Sequence, residues 1–382
     1  MTTEIKSLFG RARDSAYLDT AAEGLPLERC RDALVRYFDD KSNGSPGRVR
    51  MHEEEHAARD AAARLLGTKL DNVVLLGSAS EALNAFANSI AWKPGDEVVV
   101  TDLEFPSGVL TWLRLRERGV RVRLIDSQCG AIDLDSFERV IGPATRVVCV
   151  SHVSYKTGTR IPFLPELSAL AHEHDAMLVV DATQSLGRVP VSVAGVADFV
   201  VASTYKWLLG VHGLGVTYLD PAARERIGDG VLGWYSVADL FSPDRFDSYA
   251  RKAGAGWMLC GMPNFPSIYV LRESIEFLLA QGVEVFDREL RPLVAELRQG
   301  IARLGLELLT PAGPEFASGI VSFLHPACEA LAAALERAGA IVWAGDGRVR
   351  ASVHFYNDGS DISRFLGALE SINREIACTT RS

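Results

Sequence analysis

The sequence contains little cysteine, with six in 382 residues. No two of them form a C-x-x-C pair, so the sequence offers neither a structural zinc ribbon nor a thioredoxin-type dithiol. So sparse a set in so long a chain is typical of reduced thiols in the cytoplasm. We therefore expect a cytoplasmic protein.

Long apolar runs and an excess of positive charge are also absent from the sequence. No stretch approaches the roughly 18 uninterrupted apolar residues that a membrane-spanning helix needs, and residues 1–15 lack the apolar core of a secretory signal. The 40 lysines and arginines are outnumbered by 49 aspartates and glutamates, which gives a net charge of −9. We therefore expect no nucleic-acid and no membrane partner.

From about residue 70 onward, short apolar runs alternate with amphipathic helical patterns. Each run is rich in Val, Ile or Leu, which is typical of strands buried on both faces of a sheet. Repeated β-α units of this kind predict an α/β fold with a mostly parallel, seven-stranded sheet covered by helices. The predicted strands are 72–76, 97–101, 121–125, 146–150, 177–180, 198–202 and 215–219.

Beyond about residue 245 the composition changes. A Gly/Pro-rich stretch, AGAGWMLCGMPNFPS, leads into a long helical pattern over 268–281, and short strand patterns follow at 319–324, 340–343 and 348–353. We interpret this part as a second, smaller α+β domain. The predicted division assigns residues 16–245 to a large domain, and residues 246–382 together with 1–15 to a small C-terminal domain.

Chemically useful side chains follow the ends of three predicted strands, where ligands bind in sheets of this type. After strand 72–76, Ser78 and Glu81 have the spacing of a helix capping box. The helix behind them would direct free N–H groups and its positive dipole end at an anion, which makes a seat for a phosphate group. An ordinary capped helix would show the same spacing.

The other two strand ends carry an aspartate and a lysine. Asp181 follows strand 177–180, where a carboxylate is costly to bury unless a cation or hydrogen bonds compensate it. Lys206 follows strand 198–202 among apolar residues, which ease its deprotonation, and a Schiff-base lysine must be neutral. A phosphate seat, a buried carboxylate and a buried lysine together fit pyridoxal 5′-phosphate, which has a phosphate, a ring nitrogen and an aldehyde.

These motifs resemble those of the class V aminotransferase and cysteine-desulfurase family of fold-type I pyridoxal-phosphate enzymes. The resemblance runs from residues 17–22 to residues 350–358. Its most specific part is Asp181-x-x-Gln184 followed by Lys206 in S-T-Y-K-W-L-L-G. It implies the fold-type I architecture, in which the large domain binds the cofactor. It also implies an amino-acid substrate and a homodimer.

The resemblance also implies roles for individual residues. Lys206 would form the Schiff base with the cofactor and later take the Cα proton of the substrate, while Asp181 would pair with the ring nitrogen. Arg350 matches an arginine that binds the substrate α-carboxylate. The remaining cofactor contacts would come from the backbone of Ala79 and from the side chains of Ser80, Phe105, Tyr155, Gln184, Ser203 and Tyr205.

The sequence departs from the desulfurases shortly before Arg350. Desulfurases carry a catalytic cysteine on a mobile loop there, whereas residues 341–350 are short and contain no cysteine. A cysteine-type substrate would then simply expel its Cβ sulfur, so we expect C–S β-elimination from an S-substituted cysteine. Transamination with a keto acid is the alternative. No second carboxylate-binding arginine is evident beside Arg350, although Arg48 and Arg160 have no assigned role and could supply one. Epimerisation and kynureninase-like cleavage also stay open.

A literal H-E-x-x-H motif, the signature of zinc proteases, spans His52 to His56. The spacing would place both imidazoles on one helical face, with Glu53 available as a base. The surrounding helix is rich in charge and no third ligand stands out, so we interpret it as a solvated acidic face and expect no metal. A zinc hydrolase remains a remote alternative to the pyridoxal-phosphate enzyme. The third hypothesis is a non-catalytic relative that keeps only the fold.

Overall fold

The computed structural model describes the backbone of residues 3–379 and the side chains of residues 5–374. Within that range, no helix combines the length and the apolar content that a membrane span requires. The strands are β1 (Ala16–Tyr17), β2 (Val73–Leu76), β3 (Glu97–Thr101), β4 (Arg121–Ile125), β5 (Thr145–Ser151), β6 (Met177–Asp181), β7 (Phe199–Ser203), β8 (Gly215–Leu219), β9 (Ile320–Leu324), β10 (Ala340–Ile341), β11 (Trp343–Gly345) and β12 (Arg348–Ser352). The α-helices are α1 (Thr3–Lys6), α2 (Cys30–Ser42), α3 (Arg48–Leu66), α4 (Ala79–Ser89), α5 (Ser107–Leu113), α6 (Leu134–Glu138), α7 (Leu164–Glu173), α8 (Pro221–Arg226), α9 (Phe265–Gln281), α10 (Val283–Arg303), α11 (Cys328–Arg337) and α12 (Gly359–Thr379). Short 3-10 helices cover Arg11–Arg13, Leu70–Asn72, Arg114–Arg118, Gly256–Met258 and Pro314–Phe316.

Seven strands form the large sheet in the order β2-β8-β7-β6-β5-β3-β4. β8 is antiparallel to both of its neighbours, and all other neighbouring pairs are parallel. Successive residues of a strand belong to different cores: Val73 and Leu75 of β2 pack on the side of α3 and α9, while Val74 and Leu76 pack on the side of α4. The predicted α/β class, with a mostly parallel seven-stranded sheet between helices, is confirmed.

β4 differs from the expectation that every run is buried on both faces. It lies at the edge of the sheet, and its pattern of exposure follows from that position. Arg121 and Arg123 are exposed and pair with the buried carboxylate of Glu97 at 2.9 and 3.2 Å. Charged side chains on an edge strand discourage pairing with another chain.

A second, smaller unit is built on the antiparallel sheet β11-β12-β9. Its core also takes residues from α10, α11 and α12, and Ala16 and Leu18 join it from the start of the chain. The predicted strand 340–343 is split, because β10 pairs with β1 and β11 pairs with β12. The division at residues 245 and 246 stays a prediction, and residues 1–2 and 380–382 lie outside the described residues. Since α9 packs with α2 and α3 in the large core, we propose a division nearer residue 282.

Candidate active site

The carboxyl ends of the parallel strands open onto one cavity. All nine residues predicted to contact the cofactor line it, although they come from well-separated parts of the chain. This convergence is expected, because parallel strands end at the same edge of a sheet. The lining residues are Ala79, Ser80, Phe105, Ser107, Ser151, Val153, Tyr155, Asp181, Thr183, Gln184, Ser203, Tyr205 and Lys206.

The N-terminus of α4 forms one wall of the cavity. Ser78 caps the helix, because its hydroxyl oxygen accepts a hydrogen bond of 3.0 Å from the N–H of Glu81. The N–H groups of Ala79 and Ser80 have no acceptor within the helix, and the helix dipole points at the cavity. Gly215 of β8 permits the close approach of this turn, since a Cβ there would lie 2.8 Å from the nitrogen of Ala79. A phosphate group fits this wall.

Asp181 is the last residue of β6, and its buried carboxylate lines the cavity. The N–H of Thr183 donates to Oδ1 at 2.8 Å. Burial raises the pKa of Asp181, while the hydrogen bonds from Thr183 and the charge of Lys206 lower it. A cation in the cavity would favour the ionised carboxylate further, which is what a protonated ring nitrogen supplies.

Gln184 is oriented by two hydrogen bonds. The indole Nε1 of Trp207, which can only donate, lies 2.7 Å from Oε1, and Nε2 donates to the carbonyl of Ala21 at 2.9 Å. These partners fix which end of the amide faces the cavity side. One N–H of Nε2 remains for a further acceptor, such as the ring hydroxyl oxygen predicted from the resemblance.

Lys206 follows β7 and is only 8% exposed. The backbone of Gly24 packs against it so closely that a Cβ at Gly24 would overlap the carbonyl of Lys206. Burial, and then the charge of Arg350, lower the pKa of Lys206 to about 8, while nearby carboxylates, Asp181 first, act in the opposite direction. The amine therefore loses its proton more easily than a solvated lysine does.

The low pKa of Lys206 is testable in the cofactor-free protein. Acetylation of Lys206, followed by mass spectrometry across a pH series, should reach half its maximal rate near pH 8 because only the neutral amine reacts. Arg350→Gln should move this midpoint upward, since removal of a nearby positive charge favours the ammonium form. A midpoint near 10 in the unmodified chain would contradict the burial argument.

Aromatic rings border the lysine. The Nζ of Lys206 lies 5.4 Å from the ring centroid of Phe105 and 5.5 Å from that of Tyr205. Phe105 meets Tyr155 edge-on at 5.1 Å, and Tyr205 stacks on His212 at 4.4 Å. The predicted stacking of Phe105 on a cofactor ring is compatible with this placement and stays a prediction.

Arg350 belongs to β12 of the small sheet and is buried. It is not among the side chains that line the cavity, but its Nη1 donates at 2.9 Å to the carbonyl of Tyr155, which does line it. Its Nε is buried and has no hydrogen-bond partner among the described residues. Burial lowers the pKa of Arg350 to about 10, so the guanidinium is charged at neutral pH and retains a donor for a carboxylate.

A second buried arginine, which sequence reasoning did not identify, lies beside Arg350. It is Arg348, two residues earlier in β12 and 2% exposed. Arg48 and Arg160, the other two candidates for this role, lie elsewhere. Arg48 is exposed at the start of α3, and Arg160 donates from Nε to the carbonyl of Glu315 at 3.2 Å. The spacing of two residues within a predicted strand was the signal that could have identified Arg348.

Sequence reasoning also missed two carboxylates near the cavity, the buried Glu104 and the partly buried Asp19. Glu104 accepts hydrogen bonds from Thr101 at 2.7 Å and from Ser151 at 2.6 Å, and burial raises its pKa to about 7. Oδ1 of Asp19 is buried without a hydrogen-bond partner among the described residues. Burial raises the pKa of Asp19 to about 7, although the charge of Arg350 lowers it. The position of Glu104 directly before Phe105 was a usable signal.

His52 and His56 are not arranged as a metal centre. Nδ1 of His52 lies 3.2 Å from a carboxylate oxygen of Glu55, and Glu53 pairs with Arg50 at 3.1 Å. Nowhere in the described part of the chain are three His, Cys, Asp or Glu side chains grouped so that they could hold a metal ion. The structure therefore gives the zinc-hydrolase alternative no support.

The chain is similar to known proteins over most of its length. The family model described as aminotransferase class-V matches residues 16–365. A probable cysteine desulfurase of Methanothermobacter thermautotrophicus is 29% identical over 97% of this chain and 98% of its own. An uncharacterised aminotransferase of Bacillus subtilis, YcbU, is 26% identical over 93% of both chains.

A similar structure has also been solved. The apo structure of a cysteine desulfurase from Thermococcus onnurineus NA1 superposes with a TM-score of 0.89, at 26% identity and with 97% of each chain covered. The agreement extends over both the large sheet and the small unit.

Proposed function

We propose a function from one premise, which is that this chain belongs to the class-V aminotransferase family. The family consists of pyridoxal-phosphate enzymes, and pyridoxal 5′-phosphate is the cofactor of this chain. The predicted family, enzyme class and cofactor are thereby confirmed.

The donor set of the cavity fits this cofactor. The uncommitted N–H groups of α4, with Ser80 and Ser203, would hold the phosphate. Asp181 would face the ring nitrogen, and Lys206 would bond to the aldehyde carbon. Gln184 keeps one N–H for the ring hydroxyl. The supporting observation is that these separate groups all line one cavity.

The chain's own residues would divide the chemistry among them. When bound, the cofactor stabilises negative charge at the Cα of an amino acid. Lys206, whose burial makes the amine easier to deprotonate, would take the Cα proton at Nζ when that amine is neutral. Asp181, held by Thr183, would keep the ring nitrogen protonated. Arg350 would bind the α-carboxylate and so decide which Cα substituent faces Lys206.

We propose C–S β-elimination from an S-substituted L-cysteine as the reaction. The supporting observation is the tight turn that joins β11 to β12, in which Asp346 and Gly347 both have positive φ, 54° and 71°. This two-residue turn leaves no room for a mobile cysteine-bearing loop before Arg350, and Cys328, the nearest cysteine in sequence, is buried. No cysteine is among the residues that line the cavity, so without a thiol there to accept sulfur, the sulfur leaves with its substituent.

The elimination balances without a second substrate. The Cα proton passes to Lys206, the Cβ–S bond breaks, and its electron pair leaves on sulfur, which then takes a proton to become a thiol. Water adds to the remaining three-carbon unit, which is released as pyruvate and ammonia.

The reaction is tested by supplying S-alkyl-L-cysteines to the holoenzyme without any keto acid. Thiol, pyruvate and ammonia should form in equal amounts and at a steady rate through many turnovers, because each cycle restores the enzyme. The measurement is a coupled pyruvate assay beside a thiol assay. A chain without the Lys206 amine serves as the blank.

A class V aminotransferase is the second candidate, and Arg348 is the observation that favours it. A second buried guanidinium beside Arg350 suits a dicarboxylic keto acid such as 2-oxoglutarate. In that case the assay above would stop after about one equivalent of keto acid, because the amino group stays on the enzyme until an acceptor removes it. Addition of 2-oxoglutarate would restart it.

We also propose that the chain forms a homodimer. The segment 232–249 exposes apolar side chains, with Phe241 80% and Phe246 86% accessible, and such a patch is typical of an interaction surface. The cytoplasmic location stays a prediction.

A further inference from the structure

β12 carries its two buried arginines on one face. Because Arg348 and Arg350 are two residues apart in a strand, their side chains point to the same side of the sheet. In the antiparallel pairing with β11, Arg350 lies opposite Trp343 and Arg348 lies opposite Gly345. Paired residues share a face, so Trp343 lies on the same side as both arginines.

Trp343 occupies the space above Gly345. A Cβ at Gly345 would lie 3.0 Å from the indole ring, so the ring extends along the strand toward Arg348. The Cζ of Arg348 lies 4.9 Å from the ring centroid of Trp343 and 5.5 Å from that of Tyr155. Tyr155 lines the cavity and Arg348 does not, so the guanidinium of Arg348 is linked to the cavity through the ring of Tyr155.

The guanidinium of Arg348 has a buried donor without a partner, although it forms an ion pair and lies over two aromatic rings. Its ion-pair partner, Asp346, lies at the turn between β11 and β12 with its side chain 76% exposed, whereas the side chain of Arg348 is 2% exposed. The Nε of Arg348 is buried and lacks a hydrogen-bond partner among the described side chains, as does the Nε of Arg350. Unused donors on a buried cation cost free energy, and an anion bound beside them would remove that cost.

We propose that Arg348 is a specificity residue that binds a second carboxylate, carried by the side chain or by the S-substituent of the substrate. This inference rests on the proposed function, in which Arg350 binds the α-carboxylate. Two strand residues advance about 6.6 Å, at about 3.3 Å each. An extended chain advances about 3.8 Å for three bonds, so about five bonds should separate the two carboxylate carbons. S-carboxymethyl-L-cysteine has this spacing, and so does adipate.

The first experiment requires no turnover. Adipate and adipamate, in which one carboxylate becomes an amide of the same shape, are titrated calorimetrically into the holoenzyme. The unmodified enzyme should bind adipate about 30-fold more tightly, because only adipate forms charge-assisted hydrogen bonds with both arginines. Arg348→Gln should remove this preference and leave the affinity for adipamate unchanged. Equal affinities in the unmodified enzyme would overturn the proposal.

Asp346→Asn is the matched control. Asp346 competes with the ligand for Arg348, so its neutralisation should tighten adipate binding several-fold. If the ion pair only held the turn, Asp346→Asn would weaken both ligands alike, which would overturn the proposal. Because Asp346 is exposed, this variant decides the question even if Arg348→Gln fails to fold.

The second experiment separates this inference from the proposed reaction. The KM of S-carboxymethyl-L-cysteine should be well below that of S-carbamoylmethyl-L-cysteine, and Arg348→Gln should raise only the former, with kcat little changed. Cleavage of both at equal KM would overturn the role of Arg348 and leave the lyase reaction standing. Cleavage of neither, with the preference for adipate intact, would reject the lyase reaction and support Arg348 as a carboxylate site for transamination.

Discussion

Lys206→Ala should abolish covalent attachment of the cofactor and lower turnover by about 10⁴-fold, the upper end of what a positioned proton acceptor contributes. Lys206 is the lysine that lines the cavity, and its neighbours Phe105 and Tyr205 offer no amine in its place. After borohydride reduction, tryptic mass spectrometry should find the pyridoxyl group on the Lys206 peptide of the unmodified enzyme. The variant should carry no such adduct.

Lys252→Ala is the control for this experiment. Lys252 is half-buried and, like Lys206, lies near an aromatic ring, with Nζ 3.5 Å from the centroid of Tyr235, but it does not line the cavity. This variant should keep both the adduct on Lys206 and the turnover. A pyridoxyl group found on any other lysine of the unmodified enzyme would remove Lys206 from its role.

The part of the site at the strand ends could be predicted from the sequence because its residues follow strongly patterned strands. Asp181 ends β6 and Lys206 follows β7, and the predicted bounds 97–101, 121–125 and 215–219 are those observed. Parallel strands bring their carboxyl ends together without any further information. Local pattern and tertiary structure therefore agree at the part of the site that is proposed to hold the cofactor.

The residues of the small sheet near the predicted substrate position could not be identified from the sequence in this way. Arg348, which lies over Trp343 within the small sheet, also lies over Tyr155 of the large unit, and hydrophobic periodicity does not report such a tertiary contact. The break at Val342, where the chain leaves β10 and begins β11, likewise depends on which strand each half pairs with. The residues proposed to bind the cofactor are thus set by local pattern, and those proposed to select the substrate are set by tertiary contacts.

Asp181→Asn should separate catalysis from cofactor binding. Asparagine keeps an oxygen that can accept the 2.8 Å hydrogen bond from the N–H of Thr183, so the loop after β6 should hold its shape. It cannot carry the negative charge that is proposed to keep the ring nitrogen protonated, so charge at the substrate Cα would lose its stabilisation. We expect kcat to fall by about 10³-fold, while cofactor affinity falls by less than about tenfold because Lys206 and the α4 wall remain.

Asp198→Asn tests whether the loss of any buried carboxylate in this sheet would do the same. Asp198 directly precedes β7, at the opposite end of the sheet from the cavity, and accepts hydrogen bonds from the N–H of Leu178 at 2.7 Å and from His172 at 2.9 Å. Its neutralisation should lower the melting temperature and leave kcat nearly unchanged, because no bond to Asp198 reaches the cavity. The two variants should therefore differ in kind, with a catalytic loss at one end of the sheet and a stability loss at the other. Near-normal turnover in Asp181→Asn, accompanied by the same loss of stability, would reduce Asp181 to a structural carboxylate and leave the ring nitrogen without an assigned partner.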